Sequence, residues 1–312
     1  MRVKRDRDPS SGRMDIVVKT MADPDSSVAV ERFRREAIIL DLLAHPSIVR
    51  LRRYTDQAPR AMVLEYVPGA HLGKTVAESG PMEPSALCDI IEHIAAGLDV
   101  AHSHGVVHRD VCPEHIIMPK RGSTKLIDFG VASLAGEPQI TLHGETLRDH
   151  AYISPEQLRG AAGVGPSADI YSISAVCFFA LTGQPPGRGA VNVAMALHEK
   201  RPDLPTEVAS VIARGMAAAP EDRYPSAGQM AADLRMAVEH DERNKPLGTA
   251  SRNLWTATCF LIVALLLGAF VRSVSGFGNT PAHIATVHSF AKAFSHRTPA
   301  MPFPRADTMT QR

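Results

Sequence analysis

Signals for strands and signals for helices occupy separate stretches of this 312-residue chain, and that segregation limits its fold more than any other feature. Asp8-Pro9-Ser10-Ser11-Gly12 is turn chemistry ahead of the β-branched run Asp15-Ile16-Val17-Val18-Lys19-Thr20, so the first twenty or so residues read as two strands joined by a turn. Ile48-Val49-Arg50-Leu51 and Ala61-Met62-Val63-Leu64-Glu65-Tyr66-Val67 read as further strands. Between them, Asp23-Pro24-Asp25-Ser26-Ser27 opens a helix whose apolar positions 30, 33, 37, 40 and 43–44 share one face. Glu36 falls on the flank of that face, half-buried and able to reach a strand. Beyond Pro68-Gly69 the chain turns helical: residues 84–103 carry apolar positions 87, 90–91, 94–95, 98 and 101–102. A further helix runs from Ser167 to a stop at Gly183, and others extend to about residue 238. Thr124-Lys125-Leu126-Ile127 is an isolated short strand. Strands first and helices after make an α+β protein, with a small sheet-rich lobe at 1–67 and a larger helical lobe at 68–240.

The totals narrow the function. An apolar content of 45% supports one large or two small cores, and Lys+Arg 34 against Asp+Glu 33 argues against a nucleic-acid partner held by a broad basic field, so none is expected. Cys88, Cys112, Cys177 and Cys259 form no C-x-x-C pair, which argues against a structural zinc site or a disulfide framework and for a reducing compartment. The charged start, Met1-Arg2-Val3-Lys4-Arg5-Asp6-Arg7, is no signal peptide. Residues 254–271 contain no charge, and as a helix they span about 27 Å, close to the hydrocarbon thickness of a bilayer. Arg243, Lys245 and Arg252 precede this run closely and only Arg272 follows it closely, so a single-pass protein of the cell membrane is expected, with its N-terminal part cytoplasmic. Residues 241–253 are then a juxtamembrane linker. Residues 272–312, with Pro281, Pro299, Pro302 and Pro304 and no period, form a disordered tail outside the cytoplasm. Ala264-Leu265-Leu266-Leu267-Gly268 offers a small-x-x-x-small contact for a homodimer.

The chemistry gathers in His108-Arg109-Asp110-Val111-Cys112-Pro113-Glu114-His115, followed by Asp128-Phe129-Gly130. This stretch resembles the catalytic loop of protein kinases, H-R-D-x-K-P-x-N, with D-F-G behind it. Other segments resemble the same family in the same order. Lys19 stands at the lysine of V-A-I-K, and Arg34-Arg35-Glu36 resembles the helix segment that carries its glutamate partner. His45-Pro46-Ser47-Ile48-Val49-Arg50-Leu51 is similar to H-P-N-I-V-x-L, Leu64-Glu65-Tyr66-Val67 to the hinge, and Ser154-Pro155-Glu156 to A-P-E. Ser167-Ala168-Asp169-Ile170-Tyr171-Ser172 resembles the later aspartate segment, and Pro220-Glu221-Asp222-Arg223-Tyr224 the segment whose arginine pairs with the A-P-E glutamate. Across roughly residues 2–240 the chain is identified as a bacterial Hanks-type serine/threonine protein kinase, which implies a bilobal kinase-like fold.

The resemblance also implies roles. Lys19, held by Glu36, would bind the α- and β-phosphates of ATP, with Glu65 and Val67 of the hinge also in the nucleotide site. Asp110 would take the proton from a protein hydroxyl, and Asp128 would bind Mg²⁺, or Mn²⁺ in its place. Ser133, Thr141 and Thr146 would be sites of activating phosphorylation, with Arg109 as the phosphate partner.

Four features depart from the family. Met1 aligns with the last turn of the glycine-rich loop, so either the start codon lies farther upstream or the small lobe is expected to lack that loop and its first strand. His115 replaces the asparagine, putting an imidazole at a second metal position that suits an oxygen donor. Cys112 replaces the lysine, removing a positive charge. Asp149 stands where a threonine would bond the catalytic aspartate, unless a slip of the loop puts Thr146 there. His102, His104, His108, Cys112 and His115 match no standard zinc spacing, and His108 is expected to pack as a structural residue. Two readings follow: a serine/threonine kinase of weakened activity, or an inactive pseudokinase acting as a scaffold for signalling partners.

Overall fold

The computed structural model describes residues 2–6, 15–21, 25–134, 151–160, 163–187 and 192–244. Asp149, Thr141, Thr146, the apolar run at 254–271 and the tail lie outside the described residues. Among the described residues no helix is long and apolar enough to cross a membrane.

The small lobe is one antiparallel sheet and one helix. β1 (Arg2–Asp6) and β2 (Ile16–Thr20) pair in register from Arg2 opposite Thr20 to Asp6 opposite Ile16. Helix α1 (Ser27–Leu42) begins where the Ser26 hydroxyl accepts a hydrogen bond from the Ala29 amide, which satisfies a first-turn donor. β3 (Leu51–Thr55) and β4 (Ala61–Glu65) complete the order β1-β2-β4-β3. Lys19 lies opposite Met62 in the β2–β4 register, and Met62 is fully buried, so both side chains occupy the interior face. Phe33, Ala37 and Leu40 bury the expected face of α1, and Phe33 meets Tyr54 of β3.

Two expectations are corrected here. Glu36 is not half-buried but 2% exposed, because it has a cationic partner inside the lobe. Ile48-Val49-Arg50 is not a strand. Ile48 makes only a bridge to Leu126, the Val49 amide donates to the Leu126 carbonyl, and the Leu126 amide donates to the Ser47 carbonyl. The segment is apolar because it wedges against the larger lobe, where Ile48 also approaches Gly97.

The larger lobe starts at β5 (Gly69–His71), where any Cβ on Gly69 would lie 2.3 Å from the Met118 carbonyl oxygen, so only glycine allows this pairing. Helix α2 (Leu72–Ser79) follows, an element the apolar pattern had not marked, and then α3 (Pro84–Ser103), with proline in its first turn as expected. The Leu87, Ile91, Ile94 and Leu98 side chains of α3 are almost completely buried, each contributing about 1.5–3 kcal/mol. Short strands β6 (Val106–Val107), β7 (Ile116–Pro119), β8 (Lys125–Leu126) and β9 (Ser133–Leu134) come next, paired as β5-β7-β8 and β6-β9.

After the short α4 (Pro155–Leu158), helix α5 (Ser167–Thr182) is buried on nearly all sides, ending at Gly183 in the left-handed conformation. A helix apolar all round belongs at the centre of a helical lobe. Around it stand α6 (Val193–Lys200), α7 (Thr206–Gly215) and α8 (Ala227–Asn244). Helix α8 continues six residues past 238, into the stretch read as linker.

Candidate active site

Two connections between short strands build the site. The segment 108–115 links β6 to β7, and 128–130 lies between β8 and β9. Because Ile116 pairs with Leu126 and the Ile127 amide donates to the His115 carbonyl (2.9 Å), His115 and Asp128 are delivered side by side. Above them β2 and α1 supply the cation and its partner. The Lys19 Nζ lies 2.5 Å from Glu36 Oε1 and 3.0 Å from Asp128 Oδ1, with Lys19 and Glu36 both buried.

The segment is held from below by Asp169 on α5. Its carboxylate, fully buried, accepts from the His108 amide (2.9 Å), the Arg109 amide (2.8 Å) and the His102 ring Nε2 (2.7 Å). Burial works to raise the Asp169 carboxyl, but the bonds from His102 and the nearby His108 outweigh it and hold the group below the usual carboxylate range. His108 packs edge-on against Phe129 with ring centres 4.5 Å apart, the structural role expected of it. Arg109 and Asp128 both adopt left-handed backbone, φ 66° and 64°. Such residues persist only where their surroundings hold them: Asp169 holds the first, and the Gly130 amide, donating to Asp128 Oδ1 at 3.2 Å, helps hold the second.

The electrostatics are uneven. Burial works to raise the Asp128 carboxyl, but Lys19 and His115 offset it and hold the group below the usual carboxylate range. For Asp110 burial prevails over the pull of His115 and His108, and its carboxyl is pushed up. Burial, helped by Asp110 and Glu114, also pushes up the Cys112 thiol, so cysteine supplies no charge here. His115 Nδ1 lies 2.8 Å from the Asp110 carbonyl and 3.4 Å from its Oδ2, and Nε2 is 3.8 Å from Asp128 Oδ2.

Of the residues singled out from sequence, Lys19, Glu36, Asp110, His115 and Asp128 are brought together. Glu65 and Val67 lie at and just past the end of β4. The Glu65 carboxylate is engaged by the Arg50 amide (2.9 Å) and Lys125 Nζ (2.6 Å). Glu156 and Arg223 form the implied pair, bidentate at 2.7 and 2.8 Å and buried. Sequence reasoning missed the reach of Asp169 to the amides of 108 and 109, because sixty residues separate them. It also missed the Lys125–Glu65 pair.

A five-residue strand bearing the lysine, a helix bearing its glutamate, and an aspartate delivered from the next lobe together define a protein kinase domain. The chain belongs to that family: its residues 7–230 match the family described as protein kinase domain. Its relatives are bacterial serine/threonine-protein kinases. It is 31% identical over 232 residues to the probable serine/threonine-protein kinase PknB of Lactococcus lactis, covering 71% of this chain and 37% of that one. It is 34% identical over 227 residues to PrkC of Bacillus subtilis (69% and 35%), and 35% over 219 residues to PknB of Mycobacterium leprae (65% and 35%). The chain thus spans little more than a third of the length of these relatives.

Family membership implies ATP and a divalent metal in general terms. The residues present suit that pair in part. Asp128 is a hard oxygen ligand of the kind Mg²⁺ takes beside phosphate oxygens, whereas the imidazole of His115 is not. Lys19 is the fixed cation that phosphates need.

Proposed function

We propose that this chain is a membrane-anchored serine/threonine protein kinase of weakened activity, transferring the γ-phosphoryl group of ATP to protein hydroxyls. The observation that carries this reading is the buried Lys19–Glu36 pair with Asp128 at 3.0 Å from the same ammonium. A lysine in that position has no structural need for two carboxylates, but it is preorganised to exchange one of them for phosphate. Lys19 would bind the α- and β-phosphates, Glu36 would orient Lys19, and backbone at Glu65 and Val67 would meet the base. Asp128 would hold Mg²⁺ or Mn²⁺, which supplies charge neutralisation when bound. Asp110 would accept the proton of the attacking hydroxyl.

The second reading, a scaffold without transfer, is favoured by Cys112. No charge replaces the family's ammonium beside Asp110, and loss of one such donor costs about 10²–10³ in rate. The membrane anchor rests on the uncharged run at 254–271, and the cytoplasmic placement of the kinase domain on the basic residues before it. That run would also serve a homodimer.

The deciding experiment follows ³²P transfer from ATP to a protein acceptor by the full chain, with Mg²⁺ and with Mn²⁺, beside Asp110→Asn. Slow transfer that Asp110→Asn abolishes is expected, rising at least tenfold in the Cys112→Lys, His115→Asn double variant. Absence of transfer from the chain and the double variant, with melting temperature still raised by ATP, would establish the scaffold instead.

A further inference from the structure

The residues that depart from the kinase pattern do more than remove charge. A carboxylate oxygen of Asp110, the Cys112 sulfur and a ring nitrogen of His115 all lie within 4.8 Å of one another. The local backbone explains how positions 110, 112 and 115 converge. Cys112 is extended, and the short 3-10 turn Pro113–His115 then folds back, with the His115 amide donating to the Cys112 carbonyl at 3.0 Å. Proline at the start of that turn fixes its entry.

Two further observations point to a cation. His115 Nδ1 sits 2.8 Å from the Asp110 carbonyl and 3.4 Å from Asp110 Oδ2, so the backbone fixes the ring beside the Asp110 carboxylate through one nitrogen and turns the other away. That other nitrogen, Nε2, is 3.8 Å from Asp128 Oδ2, so a second carboxylate stands across the ring. The neighbouring histidines have other work: His108 packs on Phe129, and His102 bonds Asp169. The donors are therefore a chosen few, not a general histidine-rich patch. Their chemistry is mixed, one sulfur, one nitrogen and carboxylate oxygen, which suits zinc-like ions and not Mg²⁺.

We propose that Asp110, Cys112 and His115 form a binding site for a borderline-soft divalent cation of the Zn²⁺ type, with an Asp128 oxygen or water in the fourth position. A tetrahedral centre with these ligands sets donor atoms about 3.3–3.8 Å apart, so side-chain rotations of roughly 1 Å close the set. Binding replaces the Cys112 S–H bond by a metal–sulfur bond and releases that proton to solvent, with no change of oxidation state. The site does not depend on whether phosphoryl transfer survives, because its readout is coordination.

The test uses the full chain stripped of metal with a chelator and titrated with Co²⁺. A near-ultraviolet sulfur-to-cobalt charge-transfer band is expected, displaced by stoichiometric Zn²⁺ and unaffected by a thousandfold excess of Mg²⁺. Cys112→Ser abolishes the band, and His115→Asn weakens Co²⁺ binding at least tenfold. Cys88→Ser and Cys259→Ser leave the band in place. The proposal is overturned by absence of the band in the wild-type chain, by its survival in Cys112→Ser, or by its loss in Cys259→Ser. Should Cys112→Ser fail to fold, His115→Asn decides alone, and an unchanged Co²⁺ affinity in that variant overturns the site.

Discussion

Asp169 is the residue on which the catalytic segment rests. It is buried, it carries charge, and it satisfies two backbone amides sixty residues away in sequence. Removing it strands both donors and the His102 ring, so Asp169→Ala should cost about 3 kcal/mol or more in urea unfolding. The pH dependence has a definite sign. The folded carboxyl is held below its ordinary value, so its contribution is fully present above the unfolded pKa of about 4 and is lost as pH falls through the lower, folded value. Stability measured from pH 7 down to pH 3 should therefore fall less steeply at the acid end in Asp169→Asn than in the wild type. An acid limb of equal slope in both proteins would show that Asp169 is not held ionised by these bonds. The same logic of partnered burial applies to Glu36, 2% exposed, whose partner is the Lys19 ammonium.

At the scale of elements, helix α8 shows how one secondary structure is started by another. Its first amides, at Ala227 and Gly228, both donate to the Asp99 carboxylate of α3 at 3.0 Å. A Cβ on Gly228 would lie 2.5 Å from Asp99 Oδ2, so glycine is what lets the carboxylate approach. The carboxylate also faces the positive end of the helix dipole. Asp99→Ala is expected to lower stability by about 1 kcal/mol, read as a shift in urea midpoint with unchanged slope. Farther along the same two helices, Arg235 meets Glu92 (2.7 Å) and Asp89 (2.5 Å) at the surface, where such pairs contribute little.

For the whole molecule, the described residues up to Asn244 form one compact unit, and the uncharged run at 254–271 lies outside the described residues. The membrane reading has a direct check. Expressed with residues 1–312 the protein should sediment with membranes and resist extraction by high salt and carbonate, while a chain ending at Asn244 should stay in the supernatant. Recovery of the full chain in the soluble fraction would remove the anchor from the proposed function. The order of motifs was legible at this scale because the kinase segments are spaced along the chain in a fixed sequence, and residues 7–230 match the family as a whole.

The separation of strand and helix signals and the limits of α3 and α5 followed from the sequence alone, since periodicity and caps are local properties, and resemblance to the kinase family singled out Lys19, Glu36, Asp110 and Asp128. Tertiary structure decided the rest. Whether Glu36 is buried depends on where β2 brings Lys19. That Ile48 and Val49 wedge against Leu126 instead of forming a strand depends on the packing of the lobes. The convergence of Asp110, Cys112 and His115 depends on one turn at Pro113, and their proximity to Asp128 on the pairing of Ile116 with Leu126. Spacing in sequence specifies which donors are present; only the folded backbone sets the distances between them.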